Sequence, residues 1–150
     1  MVFVIFVVIC MIARGDDMTG MRIASGLPDE TEQLVQQTIG AAIEVHRHLG
    51  PGYIEPIYGR ALCHEFGLRG IAYQAEKPIT VPYKDIRIPG QRLDVVVGEK
   101  VILELKAVEA ISPIHEAQIL SVLKSTGIRV GLIINFKVMQ LKQGVRRFVL

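Results

Sequence analysis

The segment LDVVVGEKVILELK, residues 93–106, sets Asp94, Glu104 and Lys106 into apolar runs on either side of Gly98-Glu99-Lys100. If those three residues close a hairpin loop, Val97 pairs with Val101, Val96 with Ile102, Val95 with Leu103, and Asp94 with Glu104. Side chains alternate along a strand, so Lys106 shares the face of Glu104, and Leu93, Val95, Val97, Val101, Leu103 and Leu105 are expected to form a core on the other face. Two carboxylates in direct cross-strand opposition destabilise a sheet by roughly 0.2 to 1 kcal/mol, and by more when desolvated. A hard divalent cation would neutralise them: Mg2+ takes one or two carboxylates, keeps several waters and leaves positions for phosphate oxygens. Lys106 adds an ammonium that can orient a water and stabilise the charge that develops when a phosphodiester is hydrolysed. Spacing alone does not separate this reading from a plainer one, in which Glu104 and Lys106 are solvent-facing residues and Asp94 makes a surface ion pair with Arg92 or Lys106.

Any such site needs a frame. Asp29 or Thr31 can cap a helix running to Leu49, with an apolar stripe of Leu34, Val35, Thr38, Ile39, Ala42, Val45 and Leu49. Gly50-Pro51-Gly52 ends it, and a second helix is expected from Ile54 to Phe66, burying Ile57, Ala61, Leu62 and Phe66. Extended segments follow at 72–83, 87–97 and 101–107, rich in Val, Ile and Tyr and separated by turn residues. Ser112 as cap and Pro113 at the first helical position open a third helix that Gly127 closes. Residues 130–136 read as a buried strand, parallel to the preceding one because a helix intervenes. The order ααβββαβ, with room for a short final helix or strand, predicts an α/β domain with a mixed sheet.

Composition allows this. The 150 residues suit one domain, and half of them are hydrophobic, enough for a sizeable core. A formal charge of +2 does not by itself announce a phosphate-backbone binder. Cys10 and Cys63 lie far apart, so no disulfide framework is expected, in keeping with a reducing cytoplasm. The opening MVFVIFVVICMIA is wholly apolar but shorter than the roughly 20 residues that span a bilayer. It lacks a basic n-region and a small-residue cleavage site, so the expectation is a start codon placed ahead of a true start at Met18 or Met21, with a signal or anchor as the alternative. Residues 1–20 are therefore set apart from a single domain over 21–150, and a membrane partner is not expected.

The hairpin GQRLDVVVGEKVILELKAV resembles the core of the PD-(D/E)XK nuclease superfamily, which has the restriction-endonuclease-like fold. GPGYIEPIY, residues 50–58, contains Gly52-x-x-Glu55-x-x-Tyr58, the pattern after which GxxExxY proteins are named. ELKAVEAISPIHEAQILSVLKSTGIRVGLIINF and LKQGVRRFV resemble the same family, so the likeness spans residues 31–149 with several motifs in order. It implies a mixed sheet flanked by helices and a Mg2+-dependent nuclease, with Mn2+ as a substitute and nucleic acid as substrate, DNA ahead of RNA. It implies that Asp94, Glu104, the Leu105 carbonyl and Glu55 are metal ligands, that Lys106 is the catalytic lysine, and that Gln118 contacts substrate or water. Leu93 stands where the superfamily motif has proline, and Val122 where related branches have tyrosine. No small-molecule cofactor is implied, and a homo-oligomer is left open.

Other polar residues get blander expectations. His46 and His48 are two apart on a helix and cannot face one site. His115, three before Gln118, is expected at the surface, and Tyr58 is expected to pack between helices. Cys63 has no feature of a thiol nucleophile. Lys137, Lys142, Arg146 and Arg147 form a basic stretch that is read as a solvated face. Two rival functions follow: a non-catalytic nucleic-acid- or protein-binding module that keeps the nuclease fold, and a structural protein whose apolar surfaces build an oligomer.

Overall fold

The computed structural model describes residues 26–150. The reading of residues 1–20, and with it Cys10, lies outside them. Helices α1 (Asp29–Leu49) and α2 (Glu55–Leu68) precede strands β1 (Tyr73–Tyr83), β2 (Ile86–Val97) and β3 (Val101–Lys106). Helix α3 (Pro113–Thr126), strand β4 (Val130–Asn135), a short α4 (Leu141–Gly144) and β5 (Val145–Val149) complete the order. The five strands form one sheet in the order β1-β2-β3-β4-β5. Only β3 and β4 run parallel, as the intervening helix requires, and the other neighbours are antiparallel. This is the expected α/β architecture, a mixed sheet flanked by helices in the restriction-endonuclease-like manner.

The central strands are buried on both faces, and this corrects the expectation of one apolar and one charged face. Val95, Val97, Val101, Leu103 and Leu105 pack with Val35, Ala42 and Val45 of α1 and with Tyr58, Leu62 and Phe66 of α2. On the other face Val96, Ile102 and Ile133 pack with Ile119, Val122 and Leu123 of α3. The β3-α3-β4 crossover lays α3 on that face, so its strand residues must be apolar too. Charges survive only at one end of it. Leu93 also changes sides: it packs with Val96 and Ile102 rather than with Val95. The approach of α3 depends on Gly131, where an added Cβ would come within 2.7 Å of Ile119 Cδ1.

Local detail adjusts several boundaries. Pro28 precedes α1, Asp29 is its first residue and Thr31 is buried, so neither makes the expected side-chain cap. Asp29, Glu30 and Glu32 instead favour the helix start through its macrodipole. In α2 Tyr58, not Ile57, joins the core, and Ile57 is exposed. His46 is buried, with Nε2 2.8 Å from the Val138 carbonyl, while His48 is exposed beside Glu44. Arg147 of the basic C-terminal stretch makes a two-pronged ion pair with Glu32 and ties β5 to α1, so that stretch is not simply solvated. Among the described residues no helix is long and apolar enough to cross a membrane.

Candidate active site

The expected hairpin forms: Val95, Val96 and Val97 face Leu103, Ile102 and Val101. Gly98 (φ +54) and Glu99 (φ +58) take left-handed backbone to turn the chain, and the Lys100 amide donates to the Val97 carbonyl. The ladder stops one step short of the predicted Asp94–Glu104 pair. There the Asp94 carboxylate replaces a backbone acceptor: Oδ2 receives the Leu105 N–H at 2.8 Å. Leu105 thus sends its side chain into the core while its amide fixes Asp94.

Lys106 Nζ donates to Glu104 Oε1 at 3.0 Å, and both side chains are less than one-fifth exposed. Alternation along β3 puts the two on one face, as expected. Burial raises the pKa of Glu104, and the neighbouring Asp94 charge raises it further, against the hydrogen bond and charge of Lys106 and the charge of His115. Burial likewise raises Asp94, opposed by the Leu105 amide and Lys106. Glu55, at the first position of α2, is raised by burial and then by Asp94, with Glu104 adding to this and Lys106 opposing it. Three carboxylates from two strands and a helix therefore share one electrostatic environment with a single lysine. All three are pushed toward the neutral form, the response of half-buried acids whose charge is under-compensated.

That donor set fits a hard divalent cation, since oxygen ligands with excess negative charge are what such an ion selects. Among the described residues no group of three or more His, Cys, Asp or Glu is drawn together closely enough to hold a metal unaided. A cation here would rest on fewer carboxylates, completed by a carbonyl, water or substrate oxygen, as Mg2+ accepts.

The structure does not gather every candidate. Gln118 is exposed on α3, and its side chain makes no hydrogen bond among the described residues. Val122, one turn on, is buried in the α3-side core, so this position faces packing rather than substrate. His115 departs from the expected surface role. It is half-buried at the start of α3, its Nδ1 accepts the Ser112 N–H at 3.2 Å, and Glu104 feels its charge. Cys63 has its pKa raised by burial, the wrong direction for a nucleophilic thiol.

One supporting residue went unread in the sequence, and another does more than the packing expected of it. Asn135, pairing in register with Lys106, is buried and clamps the loop after β3: it accepts from the Val108 and Lys137 amides and donates to the Val108 carbonyl. Its signal was a lone amide in the apolar run VGLIINF. Tyr58 was expected to pack, and its ring does stack on Phe136 at 4.4 Å between centroids. Its hydroxyl also donates to the Gly50 carbonyl and accepts the Tyr53 amide, so it locks the loop that leads into Glu55.

The family model of the PD-(D/E)XK nuclease superfamily matches residues 32–148. No curated protein and no solved structure matches the chain.

Proposed function

Because the chain belongs to the PD-(D/E)XK nuclease superfamily, we propose that it is a Mg2+-dependent nuclease that hydrolyses phosphodiester bonds in DNA ahead of RNA, and that Mn2+ can replace Mg2+. The observation that carries this reading is the half-buried group of Asp94, Glu104 and Glu55 around Lys106, negative in excess and supported from three elements. Gly52, Glu55 and Tyr58 support a place among the GxxExxY proteins, and the reading takes the enzyme to be cytoplasmic.

Asp94 and Glu104, with the Leu105 carbonyl, are the residues that would hold the cation, and Glu55 would complete the site through a bound water. When bound, the cation supplies Lewis acidity and a template for phosphate oxygens. The Leu105 amide keeps Asp94 aimed, and Asn135 keeps the chain beyond Lys106 in place. The ammonium of Lys106, braced on Glu104, orients the attacking water and stabilises charge growing on the phosphate oxygens. Gln118, exposed one turn beyond His115, is available to touch the substrate.

The first experiment is a calorimetric titration of Mg2+ and of Mn2+ into the protein and into Glu104→Gln, beside a cleavage screen over DNA and RNA forms. The reading expects binding that the substitution abolishes and cleavage that a chelator stops. Nucleic-acid binding that weakens steeply with salt, without cleavage, would instead make the chain a binding module on a nuclease fold.

A further inference from the structure

Helix α3 leaves the end of β3 and returns the chain to the start of the parallel strand β4, so it runs antiparallel to both. Packing fixes its position along them. A Cβ added at Gly131 would meet the side chains of Ile119 and Leu123, and Gly131 pairs in register with Ile102. One helical turn before Ile119, on the same side of α3 and about 6 Å nearer its start, is His115. Two residues beyond Ile102, on the same face of β3 and about 7 Å nearer its end, is Glu104. The two steps match, so the half-buried imidazole lies over the Glu104 end of β3, on the face that Glu104 and Lys106 share. The charge that Glu104 feels from His115 agrees with this placement.

The start of its own helix fixes the ring. The Ser112 N–H donates to Nδ1 at 3.2 Å, a bond that only an unprotonated Nδ1 accepts, so the ring proton sits on Nε2. Nε2 makes no hydrogen bond among the described residues. No buried side-chain nitrogen or oxygen among those residues lacks a partner, so the Nε2–H opens to solvent. A cap by itself is served by glutamate or glutamine, the usual residues at this position of a capping box. Histidine adds a second nitrogen that faces away from the helix. The site therefore holds a neutral, oriented donor that neither the core nor the Lys106–Glu104 pair uses. Such a donor bonds an anion without setting another positive charge against a divalent cation. The positive end of α3 lies at the same place and favours the same anion.

We infer that His115 is a further catalytic residue of the proposed nuclease, whose Nε2–H donates to a non-bridging oxygen of the phosphate under attack. The inference rests on the nuclease reading above, and it adds to Lys106 a second group that stabilises charge on those oxygens.

The test separates the two ring nitrogens. In His115→Asn the amide oxygen keeps an acceptor for the Ser112 N–H but the outward donor is gone, whereas His115→Gln brings an amide N–H back to the reach of Nε2. Both variants are compared with the parent on a short DNA oligonucleotide, or its RNA counterpart should the parent cut only RNA. One phosphorothioate, of either configuration, is placed at the bond that is cut. His115→Asn should lower kcat by roughly 10²- to 10³-fold, as for one preorganised donor lost, with KM, Mg2+ affinity and melting temperature unchanged. His115→Gln should recover about tenfold of that loss. Sulfur is a weak acceptor, so one of the two thio substrates should slow the parent yet slow His115→Asn little further, while the other slows both alike. A kcat in His115→Asn within about twofold of the parent, or a loss that leaves both thio effects at full size, would overturn the contact and leave the nuclease reading standing. A loss accompanied by weaker Mg2+ binding or a lower melting temperature would also overturn it, and would make His115 a support for Glu104 and the helix start. A parent that cuts neither DNA nor RNA would overturn the nuclease reading and the contact together.

Discussion

At the scale of single residues, the candidate active-site group is a set of acids held against their preference. Asp94, Glu104 and Glu55 all have folded-state pKa values above the ordinary ones, so the native chain binds more protons than the unfolded chain between the two values. Their contribution to stability therefore falls as pH rises out of the ordinary carboxylate range, and the full penalty remains at neutral pH. A divalent cation binds the ionised form. Mg2+ or Mn2+ should accordingly raise the melting temperature by about 4 °C or more near neutral pH and hardly at all near pH ~4.5. Glu104→Gln should remove that gain, and a differential scanning titration over pH checks both. On the proposed nuclease reading, Lys106 separates chemistry from binding. Lys106→Ala should cut turnover by roughly 10²- to 10⁴-fold while binding metal at least as tightly, because an opposing positive charge has gone. Single-turnover rates beside calorimetry would reveal any variant in which both fall together.

The elements matter through what they hold still. Helix α2 presents Glu55 from its first position, and the Tyr58 hydroxyl pins the preceding loop by bonding the Gly50 carbonyl and the Tyr53 amide. Tyr58→Phe keeps the ring on Phe136 but strands those groups, so it should cost about 1–3 kcal/mol on denaturant unfolding and weaken metal binding with no change at Glu55 itself. At the end of α4, just before β5, Gly144 packs directly on β4: an added Cβ would lie 2.1 Å from the Asn135 carbonyl oxygen. The obstacle is backbone and cannot rotate away. Gly144→Ala should destabilise by about 1–3 kcal/mol and loosen the Asn135 clamp on Val108, which amide exchange at Val108 would register.

Across the whole molecule the two apolar clusters share the central strands, so the site's rigidity and global stability are linked. Phe136 sits where α1, α2 and β4 meet, stacked on Tyr58 and 6.5 Å from the His46 ring. Phe136→Ala should cost about 3–5 kcal/mol, and intrinsic fluorescence and circular dichroism should lose their signals together rather than in steps. Net charge tells little at this scale. A total of +2 hides a β1–β2 hairpin rich in lysine and arginine and a carboxylate cluster.

Sequence alone determined the order of elements, the parallel β3–β4 pair and the hairpin register, because alternation, turn chemistry and crossover length are local rules. Asp94, Glu104 and Lys106 were legible as one group because a single hairpin carries all three. Glu55 was reached only through the resemblance, and proximity across the fold is what joins it electrostatically to Asp94. The second apolar face, the change of side at Leu93, the Asn135 clamp and the half-buried His115 were decided by packing between segments distant in the chain. No spacing encodes such contacts: they exist only once α3 has crossed from β3 to β4 and closed on the sheet.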